Sequence, residues 1–422
     1  MAHGRGLSRR TVLTMGAALV MTAACGTGSG GDGKVKVWHG YTDKEAAAFD
    51  KLAARWNTTH PDQQVELVFN GGNDNALQKT LASFASGNPP EVAYQYGSSI
   101  TGLTGRPQTQ DLTDLLRGDA AFGWDDLFPA GREAATVDGK IYGVPALVDN
   151  LSLVYNKKLF DEAEIAHPTE SWTWDDFRSA ARKLSGDGRF GWAYVNDGTE
   201  DTVWRFLALL WQAGGDLLAA DGKKAAFDSD AGLQAMRLLR DMAVTDKSVY
   251  LDAGDQQYLN LFNSGRVAML WTGPWDLGSI NEDVSYGVQI LPGRVTHATI
   301  AGPDTFVVFG DNGRTKALPF LKWLLSAEIH LEFAMETGHL PIRQSEVDLS
   351  GYAEFEAKYP GTKVFVDNLA KNVTKSRPNI PQYPKISQVL GTAVQSVLLG
   401  QAEPEAALAQ SRGEVDQALA GS

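Results

Sequence analysis

Two tryptophans lie close together where an apolar segment of the chain ends. Trp271 closes that segment, and Gly273 stands between it and Trp275, which Asp276 follows directly. The apolar C–H face of a pyranose packs on an indole ring, while its hydroxyls need polar partners at the rim. Gly273 would let a ligand approach the backbone closely. The pattern favours a surface for a sugar ring, with core packing of both indoles as the alternative.

The carboxylate pairs of the chain are poorly suited to catalysis. Asp125–Asp126 and Asp175–Asp176 are adjacent in sequence, whereas glycoside hydrolysis needs two carboxyl groups facing each other about 5–10 Å apart. Acidic residues at a helix start stabilise the helix instead. The sequence has no serine-nucleophile or phosphate-loop motif, and its seven histidines lack metal-binding spacing. We therefore expect a protein that is not an enzyme and needs no cofactor or metal.

Residues 1–24 have the pattern of an export signal. Arg9 and Arg10 precede the apolar run Thr11–Ala24, which is shorter than the roughly 30 Å of hydrocarbon that a membrane-spanning helix crosses. Small residues follow, as in a signal peptide, and a buried N-terminal helix is the alternative. Ser8–Leu13 resembles the twin-arginine export signal, while ordinary Sec export stays open.

The only cysteine of the chain, Cys25, follows this run directly. Thr22–Cys25 resembles a bacterial lipobox, whose cysteine is lipidated and becomes the new N-terminus; an ordinary small residue near a cleavage site is the alternative. Glycine-rich residues follow and predict a flexible tether. Residues 25–33 would then anchor the mature chain to the membrane, outside the cytoplasm.

Composition limits the partners of this chain. Its 422 residues suggest two to three domains, and 43% hydrophobic residues provide for a large buried core. Lys and Arg number 38 against 51 Asp and Glu, a net charge of −13. Nucleic acid is excluded as the expected partner, because binding phosphates needs a basic surface.

Alternating strand and helix patterns open the mature chain. Strands are predicted over 34–38, 64–69 and 90–96, with helices over 43–57 and 75–86. This order predicts a parallel sheet with right-handed crossovers. Ligands of such sheets bind beyond the carboxyl ends of the strands. The polar and aromatic residues at those ends are His39, Asn73, Asp74, Gln95 and Tyr96.

The rest of the chain is richer in helix. Thr173–Asp176 has the pattern of an N-terminal capping box, and strands are predicted over 267–271 and 305–309. The further predicted helices cover 177–184, 202–212, 230–244, 316–325, 386–399 and 404–419.

Four hallmark regions in chain order resemble the carbohydrate-type family 1 of bacterial extracellular solute-binding proteins, the capture subunits of ABC importers. The resemblance runs from about Lys34 to Leu419. The segments that carry it are Asp138–Pro145, Leu151–Phe160 and Trp172–Phe177 together, then Gly265–Met269 with Gly273–Trp275, then Gly338–Arg343, and finally Glu405–Leu408.

The resemblance implies an α/β, two-lobed periplasmic-binding-protein fold of type II. Its discontinuous lobes would be joined by a multi-segment hinge and would close around a ligand. Carried onto this chain, lobe one is 34–145 plus 300–342, and lobe two is 150–295 plus 345–422.

The resemblance also implies roles for single residues. Asp149, with Asn150 beside it, would bind sugar hydroxyls, and Trp275 would stack on the sugar. Asn73 and Asp74 are candidates by position only. For Tyr194 the alternative is packing in the core. For Arg343 and Arg377 the alternative is a structural ion pair. The full candidate set is His39, Tyr41, Asn73, Asp74, Gln95, Tyr96, Asp149, Asn150, Tyr194, Trp271, Gly273, Trp275, Asp276, Arg343 and Arg377.

The function implied is that of a lipid-anchored, monomeric binding protein that captures a mono- or oligosaccharide and delivers it to ABC permease subunits. The alternative within the family is a binding protein for glycerol-3-phosphate or a glycerophosphodiester. A dianion would need arginines and backbone N–H groups around it, which the acidic net charge disfavours. A secreted glycan-degrading enzyme is the alternative from another class, and the lack of opposed carboxylates disfavours it.

Overall fold

A computed structural model describes residues 33–72, 75–371 and 373–421. The predicted export signal, Cys25 and most of the tether lie outside these residues, as do Asn73 and Asp74. The strands are β1 (Val35–His39), β2 (Val65–Phe69), β3 (Val92–Tyr96), β4 (Thr136–Val137), β5 (Lys140–Ile141), β6 (Gly143–Asn150), β7 (Ser152–Asn156), β8 (Phe190–Val195), β9 (Val249–Asp252), β10 (Val267–Thr272), β11 (Tyr286–Gln289), β12 (Thr299–Val308) and β13 (Thr374–Lys375).

Helices cover both sheets. None of the helices in the described ranges combines the length and the apolar character that crossing a membrane requires. They are α1 (Asp43–Thr59), α2 (Ala76–Ala85), α3 (Thr101–Thr104), α4 (Thr113–Arg117), α5 (Pro129–Ala134), α6 (Lys157–Glu162), α7 (Trp174–Lys183), α8 (Glu200–Gln212), α9 (Asp230–Arg240), α10 (Gln257–Asn263), α11 (Gly310–Asn312), α12 (Leu318–Leu324), α13 (Ala327–Thr337), α14 (Tyr352–Lys358), α15 (Thr362–Ala370), α16 (Tyr383–Leu398) and α17 (Pro404–Ala420).

The first sheet has six strands, in the order β13-β12-β3-β1-β2, with β6 also paired to β12. Strand β1 runs parallel to β2 and to β3, which confirms the parallel sheet predicted from the strand–helix alternation. Strand β12 is antiparallel to β3 and to β6. The carboxyl ends of β1, β2 and β3 therefore meet at one edge of this sheet.

The second sheet has five strands in the order β11-β7-β10-β8-β9. Its central strand β10 confirms the strand predicted at 267–271, and it runs parallel to β8. Trp271 is only 1% exposed. Its ring packs against Phe177 and Trp192, with ring centroids 5.4 and 5.2 Å away. These three aromatic rings form the centre of the core on this side of the molecule.

The backbone passes between the sheets at two places. Strand β6 belongs to the first sheet and β7 to the second, so the chain crosses at Leu151. It returns between β11 and β12. At the first crossing, Asn150 donates to the carbonyl of Phe365 at 3.0 Å, and Asn368 donates to the Asn150 side chain at 3.0 Å. Helix α15 is thereby fixed to the connection between the sheets.

Several predicted element bounds differ from the structure. Strand β12 begins six residues before the predicted 305, because its first half pairs with β6. Helix α9 ends at Arg240, where a π-helical turn follows over Asp241–Thr245. After β10 the chain forms a 3₁₀ helix, Pro274–Ser279. The Asp276 side chain there accepts a hydrogen bond from Thr272, which turns it inward.

The predicted capping box at the start of α7 is confirmed. The hydroxyl of Thr173 accepts from the backbone N–H of Asp176 at 3.3 Å, and the Asp176 carboxylate accepts from the Thr173 N–H at 2.9 Å. We expect Thr173→Ala to lower the free energy of unfolding by about 1 kcal/mol, the usual cost of losing such a cap. Urea denaturation measures this. Thr58→Ala, an exposed position inside α1, is the control and should cause no loss; equal losses in both variants would contradict the capping role.

Candidate ligand-binding cleft

A cavity of about 420 Å³ lies between the two sheets. The first sheet contributes Tyr96, at the end of β3, and Asp304 in β12. The second sheet contributes Val195, at the end of β8, and Asp252, at the end of β9. The cavity thus lies where carboxyl ends of parallel strands open, the usual ligand position in α/β folds.

Aromatic rings form much of the cavity wall. Trp204, in the first turns of α8, and Trp275, after β10, lie with ring centroids 5.9 Å apart and planes inclined by 37°. Trp204 is 7% exposed and Trp275 is half-buried. Tyr41 and Tyr94 line the cavity from the first sheet, with centroids 5.0 Å apart. Trp275 is therefore the most exposed of these four rings, whereas Tyr41 and Tyr94 are only 4% and 2% exposed.

Gly273 allows the Trp275 ring to lie where it does in the cavity wall. A Cβ atom at Gly273 would lie 1.9 Å from the Trp275 ring, so the indole packs directly on the glycine backbone. The φ of Gly273 is −100°, which any residue adopts. Glycine is needed here because the Trp275 ring occupies the position of a side chain at residue 273, so this position is not open to a ligand.

Asp276 lies beneath the cavity and orients one of its rings. Its carboxylate accepts from the Tyr258 hydroxyl at 2.9 Å and also from Thr272. Burial raises the pKa of Asp276 above its ordinary value. The predicted ligand contact at Asp276 is thus occupied within the protein, and Tyr258 is the residue of this pair that lines the cavity.

Asp149, to which the family resemblance assigns the binding of sugar hydroxyls, lies in the cavity wall and already has protein partners. It accepts from the Leu340 N–H at 3.0 Å and from Nδ1 of His339, whose Nε2 lies 3.1 Å from Glu45. Burial opposes protonation of this histidine, but the charges of Asp149 and Glu45 raise the pKa of His339 to about 10. A positive charge is therefore held between two carboxylates at neutral pH.

Arg377 also lines the cavity, and it is held in an ion pair. Its Nη1 lies 3.1 Å from Glu200, and its guanidinium lies 5.1 Å from the centre of the Tyr96 ring. Glu200 accepts from Tyr383 and Ser387 as well. Burial disfavours the charge, yet Glu200 raises the pKa of Arg377. Both of the roles considered for Arg377, ion pairing and a position at the cavity, are compatible with this geometry.

Acidic residues of the loop after β8 and of the start of α8, which were not predicted from the sequence, also line the cavity. Asp197 accepts from the N–H of Thr199 at 2.8 Å and from the hydroxyl of Thr202 at 2.8 Å. Asp201 pairs with Arg205 one turn later in α8. The sequence signal for this loop is its position directly after a strand of a parallel pair, whereas Trp204 lies further along the chain, inside α8.

Asp304 differs from the other carboxylates of the cavity. It is 7% exposed, and its Oδ2 accepts from the Tyr94 hydroxyl at 2.5 Å. Its Oδ1 is buried and has no hydrogen-bond partner among the described residues. Burial raises the pKa of Asp304 to about 7, although Arg377 opposes this shift. One polar atom of the wall therefore remains available.

Three predicted site residues lie in cores instead of at the cavity. His39 is 6% exposed and packs edge-on against Phe49 at 5.3 Å. Tyr194 is fully buried and donates to the Thr202 carbonyl at 2.8 Å. Trp271 belongs to the core of the second sheet. For each of these three, local packing accounts for the side chain.

Two further predicted residues hold structural positions. Asn150 is engaged with α15 at the crossing between the sheets. Arg343 is 3% exposed and donates to the carbonyls of Leu325 at 2.6 Å and Gly123 at 3.2 Å. Its guanidinium also lies 4.8 Å from the centre of the Phe122 ring. These bonds tie together loops of the first lobe's core.

A second cavity of about 730 Å³ adjoins the first, and the two share Tyr96, Asp197 and Glu200. The predicted residue Gln95 lines this second cavity; it donates to Thr80 at 3.0 Å. Its side-chain oxygen has no partner among the described residues. Within the described ranges, no cluster of three or more His, Cys, Asp or Glu could hold a metal ion.

Two α/β lobes that enclose a polar, aromatic cavity define a binding protein of the periplasmic type. The sequence pattern of the bacterial extracellular solute-binding proteins matches residues 40–330. The chain belongs to this family, as its hallmark segments predicted.

Relatives in the family share about a quarter of their residues with this chain. A putative binding protein of Brucella abortus is 27% identical over 296 residues, 68% of this chain and 69% of its own. An uncharacterized lipoprotein of Streptomyces antibioticus is 28% identical over 353 residues, 79% and 76% of the two chains. The sn-glycerol-3-phosphate-binding periplasmic protein UgpB of Yersinia pseudotuberculosis is 24% identical over 416 residues, 90% and 92%.

Solved structures share the fold. The cyclic α-maltosyl-1,6-maltose binding protein of Arthrobacter globiformis is 27% identical, with a TM-score of 0.78 over 92% of this chain and 99% of that one. An ABC transporter solute-binding protein of Thermotoga lettingae, bound with α-D-tagatose, is 26% identical with a TM-score of 0.80 over the same shares. The UgpB of Mycobacterium tuberculosis, 20% identical with a TM-score of 0.82 over 93% and 99%, shows the fold alone. These likenesses confirm the predicted two-lobed α/β fold.

Proposed function

We propose that this protein is the extracytoplasmic substrate-binding subunit of an ABC importer and captures a saccharide in the cleft between its lobes. The observation that carries the proposal is the Trp204–Trp275 pair, which faces a wall of carboxylates and tyrosines. Indole faces suit the apolar face of a sugar ring, and carboxylates accept from its hydroxyls. The sugars bound by the Arthrobacter and Thermotoga proteins support the same class of ligand.

Closure around the ligand would join the two lobes. Lys44 of α1 already reaches across the cleft, with its Nζ 3.5 Å from the carbonyl of Trp275. A ligand that contacts both walls stabilises the closed form by its differential affinity for that form. The lobes we propose are 34–145 plus 300–342 and 150–295 plus 345–422. The chain crossings at Leu151 and before β12 support the bounds near 150 and 300, whereas β13, within the proposed lobe two, pairs with β12 of the first sheet.

A glycerol-3-phosphate or glycerophosphodiester ligand is the second candidate, because a UgpB protein is among the relatives. A phosphate dianion needs free donors of positive charge. Arg205, Arg377 and His339 line the cavity, but each is paired with a carboxylate of the protein. The phosphate candidate therefore requires breaking ion pairs that a saccharide leaves intact.

The proposal includes a protein that is not an enzyme. We propose that the protein binds its ligand without catalysing a reaction, because the cavity carboxylates Glu45, Asp149 and Glu200 are engaged in ion pairs.

The chain would be exported and anchored through lipidated Cys25, as a monomer that delivers its ligand to the permease subunits. The relative named as a lipoprotein supports the anchor.

Calorimetric titration of the purified chain, lacking residues 1–24, tests the proposal. A panel of neutral mono- and disaccharides should include at least one that binds saturably, and chromatography of the mixture should recover it unchanged. Glycerol-3-phosphate and glycerophosphocholine form the second arm. Binding confined to the second arm would replace the saccharide proposal, and turnover of any glycan would refute the non-catalytic role.

Gly273→Ala should weaken saccharide binding by about tenfold without unfolding the protein. The new methyl group would occupy the position of the Trp275 ring, so the half-exposed indole must move from its place in the wall. Intrinsic tryptophan fluorescence follows the displacement and calorimetry follows the affinity. Gly105→Ala is the matched control, because no heavy atom of the described chain lies within 4 Å of its Cβ position and its φ of −76° is ordinary. An unchanged affinity in Gly273→Ala would contradict the role of Trp275.

A further inference from the structure

The wall of the first cavity contains more acidic than basic side chains. The described residues in its wall include seven carboxylates and three cationic side chains. The cations are Arg205, His339 and Arg377, which are 3%, 6% and 9% exposed. Burying charge away from water is costly unless an opposite charge accompanies it. The excess of carboxylates therefore leaves an uncompensated negative charge when the cleft closes.

None of the three cations is available to balance that excess. Arg205 and Arg377 each pair with an acidic residue of α8, and His339 pairs with both Asp149 and Glu45. Each of these positive charges is already neutralised by a carboxylate of the wall. Asp197, Asp252 and Asp304 are the lining carboxylates that have no ion-pair partner among the described residues.

Asp304 is the carboxylate at which such compensation is missing. Its Oδ1 is buried in the wall and has no hydrogen-bond partner among the described residues, while its Oδ2 is bound by Tyr94. Burial holds the pKa of Asp304 near 7 despite the proximity of Arg377. The protein alone therefore stabilises the charge of Asp304 poorly, whereas a cation beside it would stabilise that charge.

An indole lies beside the same strand. A Cβ atom at Gly302 would lie 3.0 Å from the Trp204 ring, so the ring rests close to β12 at that glycine. Gly302 and Asp304 are two residues apart on β12, and both line the cavity, so they share one face of the strand. A sugar ring packed on Trp204 would thus bring a ring substituent within reach of Asp304.

We infer that the ligand is a saccharide with a free, positively charged amino group, and that this group binds Asp304 while the ring packs on Trp204. The inference rests on the proposed saccharide binding and specifies its chemical class. A hydroxyl would donate to Asp304 but would leave the excess charge in place. An ammonium group both donates and compensates the charge.

Matched sugars test this inference by calorimetry at pH 7. The probes are glucose, galactose and mannose, each beside its 2-amino and its N-acetylated 2-amino counterpart, together with cellobiose, N,N′-diacetylchitobiose and fully deacetylated chitobiose. We expect at least one free amine to bind about tenfold or more tightly than both of its neutral counterparts, because the ammonium adds attraction between opposite charges to the hydrogen bond that a hydroxyl also forms. Equal or tighter binding of the neutral members throughout would overturn the amine inference and leave saccharide binding standing. No binding by any sugar would overturn both.

The variant Asp304→Asn tests whether Asp304 causes the preference for amino sugars over neutral sugars. The substitution keeps the shape of the side chain and removes its charge, so the ratio of amine to neutral affinity should fall to about one. Asp125→Asn is the matched control, because the side chain of Asp125 is 95% exposed and pairs with Arg132 away from the cleft; it should keep the full ratio. A ratio that survives in Asp304→Asn would refute the assignment. Thermal unfolding of both variants verifies that each is folded.

Discussion

Replacing Trp275 by alanine is expected to weaken saccharide binding by about tenfold to a hundredfold, and replacing both Trp204 and Trp275 should leave no measurable binding. The two indoles lie 5.9 Å apart in the wall of the cavity, where they offer the broadest apolar faces to a ring. Truncation of aromatic anchors in desolvated sites typically costs about 2 kcal/mol or more. Calorimetry with the tightest-binding sugar of the panel gives the dissociation constants.

A third tryptophan provides the control for this experiment. Trp323 in α12 is partly buried, and it packs against Trp56 and under Arg55 at 5.0 Å, remote from the cavity lining. Trp323→Ala should lower stability and leave the dissociation constant unchanged. Trp204 is more buried than Trp275, so Trp204→Ala should also lower the melting temperature. If Trp275→Ala bound sugar as the unaltered chain does, the indole would have only a packing role.

Trp275 could be predicted from the sequence as a ligand contact because it lies just after a strand and close to Gly273. Trp271 had the same local signals, and the structure buries it. Every residue of β10 is buried, so the strand lacks the alternation that would tell a core-facing from a cleft-facing tryptophan. Trp204 was missed for the related reason that α8 is buried nearly all round, and its apolar pattern indicates a core helix.

The fold was more predictable than the site. The order of strands and helices sufficed for the parallel part of the first sheet, and the hallmark segments sufficed for two lobes. The cavity instead depends on pairs that are distant in sequence. Asp149 and His339 are separated by 190 positions, and Glu200 and Arg377 by 177. Composition and spacing name such residues as candidates, but they do not say which carboxylate a given cation neutralises.

The strongest of these distant pairings predicts a large effect on stability. His339→Asn should lower the free energy of unfolding at pH 7 by about 3–5 kcal/mol, because removing one partner of a buried ion pair leaves the other charges uncompensated. Here two carboxylates, Asp149 and Glu45, would lose the cation between them, and the side chains of His339 and Asp149 are 8% and 6% exposed. Urea denaturation gives this difference directly.

The same pair determines how that difference depends on pH. The pKa of His339 is about 10 in the folded chain, against about 6.5 in an unfolded one. A group whose pKa is raised by folding stabilises the protein fully below its unfolded pKa and loses that effect as the pH rises through its folded pKa. The difference in stability between the unaltered chain and His339→Asn should therefore be largest near pH 6 and shrink steadily between about pH 6.5 and 10. His167→Asn, which removes an ion pair that is 37% exposed on the histidine side, is the control and should lower the free energy of unfolding only slightly. Parallel stability curves for the unaltered chain and His339→Asn from pH 6 to 10 would mean that the buried histidine is neutral, and the positive charge assigned to this wall of the cleft would then have to be withdrawn.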